Sequence, residues 1–157
     1  MKRSRRHAAR SEKTARQEGV VGFEMLPLLV LVFAVGILLF AQMWAVLDVK
    51  LATTAGSREA ARTFVEQPAG SPSAAARAAA ISAGQHAATA HGRPGVTIGV
   101  AAGGQLERCA AVTFVATAEV QLFRLPLVGS PASITVRSSH SEVVDPYRDG
   151  LDGAVCG

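Results

Sequence analysis

Hydrophobic and polar positions divide the chain into three stretches. Residues 1–19 are strongly polar, whereas the 28 residues from Val20 to Leu47 include one charged side chain, Glu24. A helix needs about 20 apolar residues to cross the ~30 Å hydrocarbon core of a bilayer. At roughly 1.5 Å per residue this apolar stretch is about 42 Å long, which is sufficient. The pattern predicts a transmembrane helix over residues 20–47 and an outer domain over residues 48–157.

Two other interpretations of the apolar stretch fit less well. A cleaved secretory signal has an apolar core of only about 7–15 residues, whereas this stretch is longer and is followed by Asp48 and Lys50. A buried core helix would need a much larger protein around it. Trp44 lies near the far end, where an indole ring suits a membrane–water interface.

Helical patterning continues beyond the apolar stretch. Residues 48–66 are rich in helix formers. Arg62 follows Glu59 by three residues and precedes Glu66 by four, so both pairs can meet on one helix face. Pro68 disfavours helical geometry at the preceding residue and ends the segment.

A second helix is predicted over residues 72–91, which are rich in alanine. Ser71 is its expected N-cap and Pro72 its expected first helical residue. Gly92 and Pro94 close it.

After Pro94 the hydrophobic period changes from that of a helix to that of a strand. Strands are predicted at 96–100, 112–122 and 133–144, with a Pro/Gly-containing connection over 125–132. Because the connections are short, neighbouring strands should pair antiparallel. The predicted fold is therefore α+β: a long N-terminal helix that continues outside the membrane, a second helix and a small antiparallel sheet.

Charge is distributed unevenly between the leader and the rest of the chain. Residues 1–19 hold seven Lys/Arg and two Glu, a balance of +5, whereas residues 20–157 hold nine Lys/Arg and ten Asp/Glu, a balance of −1. A nucleic-acid binder would be expected to carry a basic patch on its folded domain, so no nucleic-acid partner is expected. Positive charge stays inside, which predicts a cytoplasmic leader over residues 1–19 and an extracellular domain over 48–157.

The residue types that carry chemistry do not assemble into a catalytic pattern. His86 and His91 are five residues apart on a helix and so do not form a metal pair, and His7 and His140 are isolated. The Gly-rich run 99–104 lacks the ending of a phosphate loop. We therefore expect no enzyme activity, no catalytic residue, no metal and no cofactor; a membrane-tethered hydrolase is the weakest alternative.

Both cysteines, Cys109 and Cys156, fall in the predicted outer domain. Disulfides persist outside the cell, so we expect the two to be bonded, and two unpaired thiols are the alternative.

The most specific motif is Gly19-Val-Val-Gly-Phe-Glu24, at the junction of a basic leader and an apolar run. It resembles the prepilin-peptidase site of type IV prepilins, in which cleavage follows Gly and Glu is the fifth residue of the mature chain. This resemblance implies cleavage between Gly19 and Val20 and an assembly role for Glu24. An ionised carboxylate costs about 2.5–3.5 kcal/mol at the centre of a membrane helix and less near the interface, so an acid within the span suggests function. The alternative is an uncleaved anchor whose boundary Glu24 marks.

The resemblance extends beyond the leader. Trp44-Ala-Val-Leu-Asp48, Ser57-Arg-Glu-Ala-Ala-Arg62 and Asp145-Pro-Tyr-Arg148 are similar to actinobacterial members of the TadE-like minor pilins of tight-adherence (Flp-type) systems. Met25 departs from the Tyr common in major Flp pilins, and the long outer domain excludes a major pilin. The resemblance implies a structural role in pilus assembly or secretion at the cell surface. The partners it implies are membrane lipid, other pilin subunits, a prepilin peptidase and Tad secretion platform proteins. The alternative is an uncleaved, single-pass, membrane-anchored binding domain.

Overall fold

The structure, a computed structural model, describes the backbone of residues 5–122, 132–154 and 156 and the side chains from Met25 onward within those ranges. The chain divides into two compact units, Met1–Ala41 and Gln42–Gly157. Each unit is described separately below. The predicted leader, transmembrane and outer-domain boundaries at residues 19 and 47 remain predictions.

Helix α1 spans Arg5–Val65 and includes Pro27. The second unit contains the last part of α1, helix α2 (Ser73–Ala90) and strands β1 (Thr97–Ala102), β2 (Ala111–Gln121) and β3 (Ser133–Val143). The strands form one antiparallel sheet in the order β1-β2-β3. The predicted α+β fold of a long N-terminal helix, a second helix and a small antiparallel sheet is therefore confirmed.

One face of the sheet packs against both helices, because apolar residues alternate along the strands. Val112, Phe114, Ala116 and Val120 of β2 are buried, and the residues between them are less so. Phe114 lies 5.9 Å, centroid to centroid, from Phe64 near the end of α1. The main core combines small residues of the helices with larger ones of the sheet: Ala52, Ala60, Ala61, Phe64, Ala76, Ala80, Ala88, Val96, Ile98, Leu106, Val112, Phe114, Ala116, Val144 and Leu151.

The two helices approach closely because glycine faces glycine at their crossing. A Cβ added to Gly84 of α2 would lie 2.6 Å from the Gly56 carbonyl oxygen and 3.0 Å from the Ala60 Cβ. A Cβ added to Gly56 would lie 3.0 Å from the Gly84 carbonyl oxygen. The contact is made by backbone, so neither helix can accept a larger side chain here without moving apart.

A smaller apolar cluster lies at the other end of the sheet. Val49 of α1 packs with Val120 of β2 and Val136 of β3, and Ala45 and Val46 lie against them. Between the two clusters, Thr53 and Ser138 share a hydrogen bond of 2.9 Å, and both residues are buried. These contacts hold β3 alongside α1.

Some details of the sequence prediction are wrong. Pro72, not Ser71, occupies the N-cap position of α2 and no side chain caps that helix. The first helical bond instead runs from the Ala76 N–H to the Pro72 carbonyl. Strand bounds differ from prediction by one or two residues. Most of the predicted connection over 125–132 lies outside the described residues.

We expect Gly84→Ala to destabilise the second unit. Alanine improves helix propensity by about 1 kcal/mol, but the new Cβ would meet the Gly56 carbonyl, and overpacking of this kind costs about 1–3 kcal/mol. Denaturant unfolding of the full chain in detergent measures the change. Gly99→Ala is the matched control, because a Cβ at Gly99 meets nothing within 4 Å. Equal stability of the two variants would contradict the glycine contact.

Candidate functional site

The apolar part of α1 is exposed along its length. Every residue from Met25 to Ala41 is exposed, and none of the most apolar window of the helix is buried. The core helix of a soluble protein would be mostly buried. Leu29 and Phe33, for example, are 69% and 68% exposed. Full burial of such a side chain stabilises a protein in water by about 1.5–3 kcal/mol relative to leaving it exposed. This helix is long and apolar enough to cross a membrane, and its surface matches an apolar surrounding.

The backbone of the motif from Gly19 to Glu24 forms part of helix α1. Gly19, Val20 and Glu24 lie between Arg5 and Val65, but their side chains are outside the described residues. The predicted cleavage at Gly19 and the assembly role of Glu24 therefore stay predictions.

Charged residues follow the apolar run at the beginning of the folded unit. Asp48 pairs with Arg93, which follows α2, at 2.8 Å. Lys50 donates from Nζ to the Arg137 carbonyl of β3 at 2.7 Å. Each contact joins α1 to a different part of the unit within one turn of the last apolar residues.

Cys109 and Cys156 are joined by a disulfide at the opposite end of the unit, across 47 residues of sequence. The Cys109 N–H donates to the Val144 carbonyl at 3.1 Å. The disulfide therefore connects the loop between β1 and β2 to the C-terminal tail. The tail is also packed, because Leu151 is buried.

Arg148 of the tail caps the C-terminal end of α1. Its guanidinium donates to the carbonyls of Val65, Glu66 and Gln67, with the Glu66 contact at 3.1 Å. The last carbonyls of a helix have no partner within the helix, and a cation is favoured there by the helix dipole. Arg148 therefore stabilises the C-terminal end of α1.

Arg108 links the cap to the disulfide loop. Its side-chain Nε donates to the Arg148 carbonyl at 3.1 Å, and its backbone N–H donates to the Asp152 carbonyl at 2.8 Å. Because Arg108 is adjacent to Cys109, the disulfide and the helix cap belong to one hydrogen-bonded assembly of loop and tail.

The residues considered for chemistry are dispersed. His140 lies 3.4 Å from Glu142, His86 and His91 are exposed, and the side chain of His7 is outside the described residues. Asp145 accepts a hydrogen bond from the Tyr147 N–H at 2.8 Å, which forms a turn. Within the described residues no group of three His, Cys, Asp or Glu could hold a metal ion.

The predicted charge pairs on α1 are partly present. Arg62 and Glu66 pair at 2.9 Å on the helix surface. The hydrogen bond to Glu66 raises the pKa of the Arg62 guanidinium most, and the charges of Glu66 and Glu59 raise it further. An arginine stays protonated in any case, so the raised pKa leaves the charge of Arg62 unchanged.

A shallow depression lies on the face of the sheet away from the helices. It is lined by Gly95, Thr97, Thr117, Ala118, Glu119 and Thr135. The lining offers hydroxyl groups and one carboxylate. It brings together neither histidine nor cysteine, and none of the residues predicted from sequence.

Sequence reasoning missed the Arg148 cap and the buried Thr53–Ser138 pair. Arg148 is separated from Val65 by 83 residues, and a lone arginine in a polar tail gives no local signal. Ser138 shares the inward parity of Val136, so the alternation of β3 could have indicated a buried hydroxyl. Comparison with protein-family models, curated proteins and solved structures found no significant match.

We expect Arg148→Ala to destabilise the folded unit by about 1–3 kcal/mol, because hydrogen bonds to a charged group each contribute about 1.5–3 kcal/mol and these are partly exposed. Arg148→Lys should lie between, since one ammonium cannot reach three carbonyls. Denaturant unfolding with the disulfide intact measures both.

Arg58→Ala, which removes an exposed arginine of the same helix, should be near neutral. Reduction of the disulfide should destabilise by up to about 4 kcal/mol on the chain-entropy model and should shrink the Arg148 effect. An Arg148→Ala cost that is the same in oxidised and reduced protein would show that the bond and the cap are independent.

Proposed function

We propose that this chain is a minor pilin or pseudopilin with a structural role in the assembly of a Tad/Flp-type pilus or a related secretion apparatus. The observation that carries the proposal is the helix α1. Its exposed apolar residues from Met25 to Ala41 and core residues such as Ala60 and Phe64 belong to one helix. A subunit that is first held in a membrane and then packed among others needs such a helix.

The leader supports the proposal through its charge and its motif. Seven Lys/Arg precede Gly19, and Glu24 is the only charged residue of the following apolar run. Cleavage after Gly19 removes a balance of +5 that would hold the helix end at the cytoplasmic surface. It leaves Val20 with a new amino group close to the apolar phase.

Glu24 would then have a partner. An amine and a carboxylate attract strongly in a low dielectric, and each lessens the burial penalty of the other. A pairing of Val20 and Glu24 within one chain, four residues apart, would not explain assembly, but the amine of Val20 on one subunit and Glu24 on its neighbour can. Other pilin subunits are therefore the proposed partners of the helix. A prepilin peptidase would cleave the leader, and the platform proteins of the secretion system are further proposed partners.

The proposed location is the cell membrane, crossed once, with the leader in the cytoplasm and residues 48–157 outside. The disulfide supports this orientation, because the Cys109–Cys156 bond lies in the unit placed outside, where such bonds persist. In this proposal the role of that unit is structural.

Processing and assembly should separate in two variants of the full chain. Gly19→Leu should block cleavage and leave a protein heavier by the 19-residue leader, because the residue before the cut must be small. Glu24→Ala should be cleaved at least in part but assemble poorly, since it removes the charge that pairs with the new amine, and Glu24→Asp should assemble better than Glu24→Ala. Intact mass and cross-linking in membranes measure the two effects.

Gly22→Leu and Glu18→Ala are the matched controls, because they change the same residue types three and six positions away. Both should be cleaved and assembled. An intact leader in the native protein would favour an uncleaved anchored binding domain. Native assembly by Glu24→Ala would refute the pairing even if cleavage occurs.

A further inference from the structure

We propose that one end of the sheet, made of residues 120–122 and 132–134 and here called the sheet base, rests on the surface of the lipid bilayer. The folded unit would then touch the membrane at two places, through α1 and through the sheet base. This inference rests on the membrane anchor of the proposed function and adds an interaction surface to it.

The register of β3 against α1 places the sheet base. Val49 of α1 packs with Val136 of β3, and Thr53 of α1 binds Ser138. Four helical residues advance about 6 Å, and two strand residues advance about 6.6 Å. Because these advances agree, β3 runs beside α1 in the same direction.

The same spacing places Ile134 beside the last residues of the apolar run. Ile134 precedes Val136 by two residues, so it lies level with the helix about four residues before Val49, at Ala45. Ala45 and Val46 do pack against this cluster. Those residues belong to the apolar run that ends at Leu47. If the run ends where the hydrocarbon ends, Ile134 lies at the bilayer surface.

Three of the exposed large apolar side chains of the folded unit lie at this level, and others lie further along α1 and β3. Trp44, Leu47 and Ile134 are 64%, 48% and 43% exposed, and all three lie at this level. Leu122 of the sheet base is half-buried, and its N–H donates to the Ala132 carbonyl at 2.8 Å, which closes the strand pair. This bond pairs a backbone donor that would otherwise be costly at an apolar surface.

Charged side chains surround this end about one turn further from the apolar run. Lys50 contacts the Arg137 carbonyl, and Asp48 pairs with Arg93. Lys50 matches lipid headgroups and adds about 1 kcal/mol near an anionic surface, whereas Asp48 offsets Arg93 and the base is bordered by the exposed acid Glu119. A bilayer is the proposed occupant because Ala45 and Val46, which pack at this end of the sheet, belong to the apolar run of the proposed membrane helix.

Tryptophan emission can test the contact directly, because Trp44 is the only tryptophan of the chain. The full chain is placed in vesicles of zwitterionic and anionic phospholipid in which some chains carry bromine near the headgroup. In a Trp44→Phe background, Ile134→Trp should lose emission to the bromines and shift to the blue. Val143→Trp should do neither, because nine strand residues place it about 30 Å further along β3. Both native side chains are exposed, so neither substitution fills a core position.

Native Trp44 is the positive reference and should be quenched. If Trp44 is quenched but Ile134→Trp behaves like Val143→Trp, the sheet base does not touch lipid and the anchor stands. If Ile134→Trp is shielded from aqueous acrylamide yet unquenched by bromine, another protein surface covers the base and the inference is wrong. If Trp44 itself is unquenched, both the anchor and this inference fail. Ser133→Trp, also at an exposed position, repeats the test should Ile134→Trp fail to fold.

Discussion

A single helix must satisfy two different surroundings, and this constraint governs the rest of the chain. From Met25 to Ala41 the side chains of α1 are exposed and almost all apolar, and contact of so large an apolar surface with water is unfavourable. From Val49 to Phe64 the same helix buries residues against a sheet and a second helix. Small residues predominate in the buried part, because the sheet and α2 both need close access to one narrow helix.

The crossing at Gly56 and Gly84 follows from that need. A three-stranded sheet and two helices enclose little apolar volume, so stability comes from short distances rather than from large side chains. Larger residues are supplied mainly by the sheet side and by Phe64, whose ring meets Phe114. The tail then completes the unit, because Arg148 caps the end of α1 and the disulfide holds the loop and tail together.

Sequence patterns predicted the elements well, and long-range contacts poorly, for a physical reason. Periodicity reports which face of a local segment is buried, so both helices and the three strands could be predicted. The predicted Ser71 cap was wrong, because a serine beside a proline expresses only a local preference and Pro72 occupies the N-cap position. The hydroxyl of Ser73, the first residue of α2, accepts a long-range hydrogen bond from the Leu106 N–H at 3.2 Å. The Arg148 cap depends on the meeting of residues far apart in sequence, which no local pattern contains.

Candidate function was predictable only as far as composition and motif extend. The apolar run and the uneven charge indicate an anchor and an orientation, and the motif from Gly19 to Glu24 resembles a processing site. The side chains of that motif lie outside the described residues, so geometry adds support to the anchor alone. The cap and the disulfide at the far end of the unit contribute to its stability.

Orientation across the membrane is the central claim, and the lysines of the chain can test it. Lys50 is the only lysine after the leader, whereas the leader carries Lys2 and Lys13. In intact cells that express Gly19→Leu to retain the leader, a membrane-impermeant amine reagent should label Lys50. Lys2 and Lys13 should be labelled only after the membrane is permeabilised. Labelling of Lys2 or Lys13 in intact cells, with Lys50 protected, would contradict the account.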